Sequence, residues 1–198
     1  MNAAVEIGSA KGSMSERPPA DASTEARLEE IFEAHYDAIW RTLRRLGLSE
    51  AQADDGAQRV FVVAARKIDT IVDGLEGRFL YGVAVRVASE VRRRDPARRE
   101  IAGEEMLAGL ADEAPGPEDS LLADEAREAL DAVLGEMPDE LREVLVLVEL
   151  EELTVPDVAE LLSIPVGTAA SRLRRARESF SEAARRVRAR LDRRGGSR

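Results

Sequence analysis

The 198-residue chain has no cysteine and a single histidine, His35. The first absence excludes disulfides, a thiol nucleophile and any cysteine-bound zinc or iron–sulfur centre, and the second rules out a multi-histidine metal site. His35 lies in the helical pattern IFEAHYDAIW, and no glycine-flanked serine turn elsewhere supplies a nucleophile for it. No residue is therefore read as catalytic, the chain is not expected to be an enzyme, and neither a metal nor a cofactor is expected. No apolar run approaches the roughly 20 residues that a membrane helix needs, so membrane insertion is not expected. The opening MNAAVEIGSAKGSMSERPPADASTE has no sustained apolar stretch of the kind that marks a secretory leader, and a cytoplasmic location is expected.

Lysine is nearly absent too, occurring only at Lys11 and Lys67, so almost every cation is a planar guanidinium suited to phosphate and guanine. The formal net charge of −10 argues at first against nucleic acid, but the charge is segregated. Between residues 86 and 99, Arg86, Arg92, Arg93, Arg94, Arg98 and Arg99 face only Glu90 and Asp95. Residues 166–198 hold eleven arginines against Glu178, Glu182 and Asp192, whereas residues 100–131 hold eleven acids and Arg127 alone. Two basic patches are thus separated by an acidic connector.

What remains is helical patterning. Leu28, Ile31, Phe32, His35, Ile39 and Leu43 recur at three and four residues, with Gly47 as a C-cap. Ser49 is placed to cap a second helix carrying Ala53, Ala57, Val60, Phe61, Ala64 and Ile68. A third runs from Gly77 to the break at Asp95-Pro96, with Leu80, Val83, Ala84, Val87 and Val91 on one side. A short helix near 120–135 precedes PDELREVLVLVELEE, which is apolar on more than one side, as in a helix buried within a bundle. Thr154 and Asp157 form a T-x-x-D box with Pro156 in the first turn. Ser163-Ile164-Pro165 then makes a helix-turn-helix corner. No strand pattern competes. The expected fold class is all-α: two small helical domains at 25–99 and 125–192, an acidic linker at 100–124, a disordered arm at 1–24 and a flexible basic tail at 193–198.

The stretch VAELLSIPVGTAASRLRRAR carries the strongest chemical signal. Ala169, Leu173, Ala176 and Phe180 form an inner stripe; Thr168, Ser171 and Arg175 lie opposite, with Arg172 and Arg174 on the flanks. Short polar groups near a helix N-terminus followed by long guanidiniums are what major-groove reading requires, although arginine runs are also common on solvated faces. In the third helix Arg78, Gly82, Arg86, Ser89 and Arg93 share a face that suits a phosphate track, with Gly82 permitting a strand to come close. A solvated Arg86-Glu90-Arg94 ladder is the plainer alternative there, as an Asp55–Arg59 pair is in the second helix.

These residues carry a resemblance. The run from Pro138 to Glu178 resembles region 4 of the extracytoplasmic-function group of bacterial sigma-70 factors, matching P-x-x-x-R-x-V-L followed by I-P-x-G-T-x-x-S-R-L-x-R-A-R. ADDGAQRVF is similar to the family's A-E-D-x-x-Q-E-V-F, and GRFLYGVAVRVASEVRRRDPARR to its W-L-x-x-I-A-R-N-x-x-x-D-x-x-R-R. The resemblance covers about residues 25–99 and 125–185. It implies an initiation subunit, with core RNA polymerase and promoter DNA as partners and, in many members, an anti-sigma factor. By the same resemblance Thr168, Ser171, Arg172, Arg174, Arg175 and Arg177 face the minus-thirty-five element. Arg78, Arg86, Ser89, Arg92, Arg93 and Arg94 face the minus-ten element, and Asp54, Asp55, Gln58, Arg59 and Val62 face polymerase. The chain departs from the pattern at Arg86 for Asn, Phe79 for Trp, Arg59 for Glu, Gly56 for an apolar residue and Ala170 for a basic one. A stand-alone helix-turn-helix regulator, or a sigma-like interaction protein without promoter activity, are the alternative readings.

Overall fold

A computed structural model describes residues 22–94 and 118–195. The described residues form α1 (Ala22–Arg45), α2 (Glu50–Arg66), a 3-10 turn (Ile68–Thr70), α3 (Glu76–Arg94), α4 (Glu118–Gly135), α5 (Asp139–Leu145), α6 (Val155–Leu161) and α7 (Val166–Gly195), with no strand among them. The expected arm, and the part of the expected linker before residue 118, lie outside the described residues, as do 196–198. α7 continues through 193–195, into the stretch read as a tail.

Local chemistry sets the helix ends. Gly47 takes φ +93° after α1, in the left-handed region where glycine carries no Cβ penalty. Ser49 caps α2 in a reciprocal box with Gln52: its hydroxyl accepts from the Gln52 amide, and the Gln52 side chain accepts from the Ser49 amide. Thr154 caps α6 by accepting from the Asp157 N–H, with Pro156 in the first turn. Ser163 turns the corner into α7 at φ +55°. α5 does not run on as an α-helix through PDELREVLVLVELEE; it loosens into a π-helical turn over Val146–Leu150.

The first three helices pack mutually, and α5, α6 and α7 form the second bundle with α4 across it. One hydrophobic cluster runs through both halves, from Ile39, Leu43, Leu46 and Leu48 to Leu134, Leu141, Val144 and Val146. Phe32, read as part of the buried stripe, is 44% exposed. It sits instead on an aromatic cluster, with its ring centroid 4.9 Å from those of both Tyr36 and Phe61. Gly56 is buried, and a Cβ there would meet Leu43 Cδ1 at 3.1 Å, so the missing side chain is a condition of close helix packing.

Arg142 ties the halves together. Only 3% exposed, it donates to the carbonyls of Leu134, Gly135 and Met137, which end α4, and to Leu46 O at 3.1 Å, which ends α1. These carbonyls lie at or just past helix ends, where the helical hydrogen-bond ladder runs out; Leu134 O also accepts from the Met137 amide and Leu46 O from Arg92, and one guanidinium gathers all four. Gly47 leaves it room, since a Cβ there would lie 2.1 Å from Arg142 Nη1. Arg142→Ala should therefore lower unfolding free energy by about 3 kcal/mol, and Arg142→Lys should recover little because one ammonium cannot reach all four acceptors. Urea titrations of the three proteins check this.

Asp131 of α4 is largely withdrawn from water near Arg44 and Arg45, and burial pushes its carboxyl up to about 6 despite both guanidiniums. Its folded-state value lies above the unfolded one. The associated stability is thus present below about pH 4 and lost as pH rises through about 6. Asp131→Asn should flatten this part of the profile, read as denaturation midpoints between pH 4 and pH 7.5.

Candidate nucleic-acid interface

The helix-turn-helix presents the expected face. Ala169, Leu173 and Ala176 are buried and Phe180 is half-buried, which turns Ser171, Arg174 and Arg175 outward. Thr168 is half-buried and its carbonyl accepts the Ser171 hydroxyl at 2.9 Å. Three of the four arginines here are held by carboxylates: Arg172 by Glu140 at 2.6 Å, Arg174 by Glu178 at 2.9 Å and Arg177 by Glu149 at 2.6 Å. Arg175 has no ion-pair partner among the described residues. Ion pairs this near the surface contribute little to stability.

The residues of α3 divide into two groups. Arg86, Arg93 and Arg94 are exposed. Arg93 donates to the Ser89 carbonyl at 3.3 Å, and Arg94 pairs with Glu90 at 2.6 Å. The simple Arg86-Glu90-Arg94 ladder does not form, because Arg59 of α2 takes the other Glu90 oxygen. That hydrogen bond holds the Glu90 carboxyl below its ordinary range. Arg78 and Arg92 instead face the second bundle. Arg78 pairs with Asp157 at 2.8 Å and Glu160 at 2.6 Å. Arg92, 7% exposed at its side chain, donates to Leu46 O at 2.6 Å and pairs with Asp139 at 3.2 Å and with Glu143. Burial raises the Glu143 carboxyl even with that guanidinium against it. Gly82, read as an opening for a strand, is buried against α6, where a Cβ would meet Leu161 Cδ2 at 2.8 Å.

On α2, Asp54, Asp55 and Gln58 are exposed and Val62 is 49% exposed, an acidic and polar strip with an apolar margin. Asp54 accepts a hydrogen bond from the Trp40 indole at 2.6 Å. Arg59 belongs to the Glu90 network and not to the Asp55 pair that spacing suggests. Phe32 and Tyr36 beside Phe61 extend the apolar margin, a feature missed in the sequence because their spacing is that of an ordinary buried stripe.

The 67–75 loop is pinned from α1. Arg27 donates to Ile68 O at 3.1 Å and Ile71 O at 2.7 Å, and pairs with Asp73 at 2.6 Å. Among the described residues no group of three or more His, Asp or Glu is placed to hold a metal ion, and no helix is long and apolar enough to cross a membrane.

Comparison with known proteins gives the arrangement its family. Residues 127–180 match the family described as Sigma-70, region 4. The chain is 28% identical to the ECF RNA polymerase sigma factor SigW of Bacillus subtilis over 76% of its own length and 85% of the relative's. It is 31% identical to the RNA polymerase sigma-H factor of Pseudomonas aeruginosa, over 67% and 72% respectively. With the ECF RNA polymerase sigma-E factor of Escherichia coli it shares 30% identity, over 64% and 70%. Among solved structures, CnrH in complex with the cytosolic domain of CnrY superposes with a TM-score of 0.57 at 21% identity, covering 80% of this chain and 87% of that one. The sigma factor RpoE in complex with the anti-sigma factor NepR from Bartonella quintana superposes with a TM-score of 0.55, also at 21% identity, covering 79% and 96%. The two solved structures share the fold; the identities and coverage of the sigma-H and sigma-E relatives carry the assignment, and the chain belongs to the extracytoplasmic-function group of sigma-70 factors, the RNA polymerase sigma factors.

Proposed function

We propose that this sigma factor divides its work as its two charge patches suggest: α7 reads the minus-thirty-five element in the major groove, α3 holds the minus-ten strand, and the exposed strip of α2 docks on core RNA polymerase. The observation that carries this reading is the face of Ser171 and Arg175, turned outward directly behind a helix-turn-helix corner with half-buried Thr168 at its edge, and Arg175 free of any described carboxylate. Arg172, Arg174 and Arg177 flank it and exchange their carboxylates for backbone phosphates as the helix enters the groove. On α3, Arg86, Ser89, Arg93 and Arg94 form the outward part of the strand-binding set, which Arg78 and Arg92 complete.

No chemistry is required of the chain. Duplex opening needs only that binding to the unpaired strand offset an unstacking cost of a few kcal/mol. The protein is accordingly proposed to be non-enzymatic and cytoplasmic, where polymerase and promoter DNA are. The relatives solved with CnrY and with the anti-sigma factor NepR motivate a further proposed partner, an anti-sigma factor.

The direct test is size-exclusion co-elution with bacterial core RNA polymerase at near-physiological salt. Co-elution is expected, and a doubly substituted α2 strip, Asp55→Ala with Val62→Ala, should weaken it; a folded chain that elutes alone would overturn the polymerase assignment. In the holoenzyme, Arg175→Ala should weaken promoter binding by roughly 1 to 3 kcal/mol if it reads a base edge. Arg93→Ala should lower affinity for all sequences alike and reduce the salt dependence by about one counterion.

A further inference from the structure

The outer face of α2 holds two carboxylates and one guanidinium whose pairing is not the one its own helix favours. Asp55, Arg59 and Val62 follow one another at four and three residues, so Arg59 stands between the acidic and the apolar parts of the strip. An acid four residues before a base on one helix is the favourable order for an ion pair, and Asp55 with Arg59 has that order. Arg59 bonds instead to one oxygen of Glu90, 31 residues further along the chain in α3. The other Glu90 oxygen holds Arg94 at 2.6 Å. Asp55 is left exposed, with no hydrogen-bond or ion-pair partner among the described residues. Asp54 is not equivalent, because its carboxylate accepts the Trp40 indole. Of the two strip carboxylates, Asp55 is therefore the untethered one, and it stays so only while Arg59 is drawn aside.

We propose that Glu90, on the helix otherwise assigned to DNA, is a positioning residue for polymerase docking: by holding Arg59 it keeps the Asp55 carboxylate bare for a cationic group on core RNA polymerase. This rests on the reading of the α2 strip as the polymerase dock. Two carboxylates compete for one guanidinium, and the competitor on α3 wins. Where Glu90 carries no charge, Arg59 turns back along α2 to Asp55, and the strip meets polymerase with its acid already neutralised. The side chains of Arg59 and Glu90 are 41% and 34% exposed, so the exchange needs a change of rotamer and no opening of the core.

The test is equilibrium binding of the full chain to bacterial core RNA polymerase, without promoter DNA, at near-physiological salt. Glu90→Gln removes charge and keeps shape, and it should weaken binding roughly three- to tenfold, the effect of masking one interfacial charge. Adding Arg59→Gln to Glu90→Gln should recover most of that loss, since no cation then remains to capture Asp55. A structural role for the Arg59–Glu90 pair predicts the opposite, because the double variant lacks the pair as fully as the single one does. Asp55→Asn should weaken binding at least as much as Glu90→Gln, and Glu90→Gln added to it should bring no further loss.

A loss with Asp55→Asn but none with Glu90→Gln would overturn the positioning role and leave the docking reading standing. A double variant as weak as Glu90→Gln alone, or weaker, would show that the pair is structural or that Arg59 itself touches polymerase, and would overturn the proposal in either case. Asp55→Asn that binds as tightly as the unsubstituted chain would overturn the docking reading, and the proposal with it.

Discussion

The structure depends on a buried guanidinium with four backbone acceptors. Arg142 receives the ends of two helices that lie far apart in sequence, α1 through Leu46 and α4 through Leu134, Gly135 and Met137. Around it the rest falls into order. Gly47 exists in its left-handed conformation to let the side chain in, Asp139 sits 3.6 Å from the same guanidinium, and Arg92 shares the Leu46 carbonyl from the other side. A buried ion costs several kcal/mol to desolvate unless its hydrogen bonds are complete, so the site works as an all-or-none joint. When the two helix ends are in register all four acceptors are engaged, and slippage of either one removes part of that set.

That joint explains why two modules that look separable share one hydrophobic cluster. The apolar residues at the seam, Leu46, Leu134, Leu141 and Val144, contribute area, but apolar contact alone tolerates sliding. Directional bonds from Arg142 and Arg92, and the Thr42 and Arg45 contacts to Glu151, fix the relative placement of the halves. Tyr81 also lies against Glu151, and burial together with that carboxylate raises its phenol well above the ordinary range. The seam is therefore a polar lattice laid over an apolar contact.

Features governed by near neighbours were legible in the sequence. The Thr154 box, the Ser49 cap, the Gly47 stop and the inner stripe of α7 all rest on chemistry within four residues, and each is present in the fold. The family signatures were legible for the same reason, being contiguous. What could not be read depends on partners distant in sequence. Nothing local tells that Arg142 will meet a carbonyl 96 residues away, that Arg59 will prefer Glu90 to Asp55, or that Gly56 and Gly82 are small to admit Leu43 and Leu161. Arginine was the most ambiguous residue type. Periodicity assigns it to a face, but which anion that face meets, phosphate or carboxylate, is decided by tertiary contact, as Arg78 and Arg92 show against Arg86 and Arg175.

The bond from the Trp40 indole to Asp54 has an optical consequence. Trp40 is the chain's sole tryptophan, so all indole emission originates at one ring, half-buried on α1 and tethered to a carboxylate on the exposed strip of α2. A negative charge hydrogen-bonded to the pyrrole nitrogen affects both the energy and the lifetime of the excited state, and anything that draws Asp54 away alters both. Unlabelled protein thus carries a built-in reporter on its α2 surface.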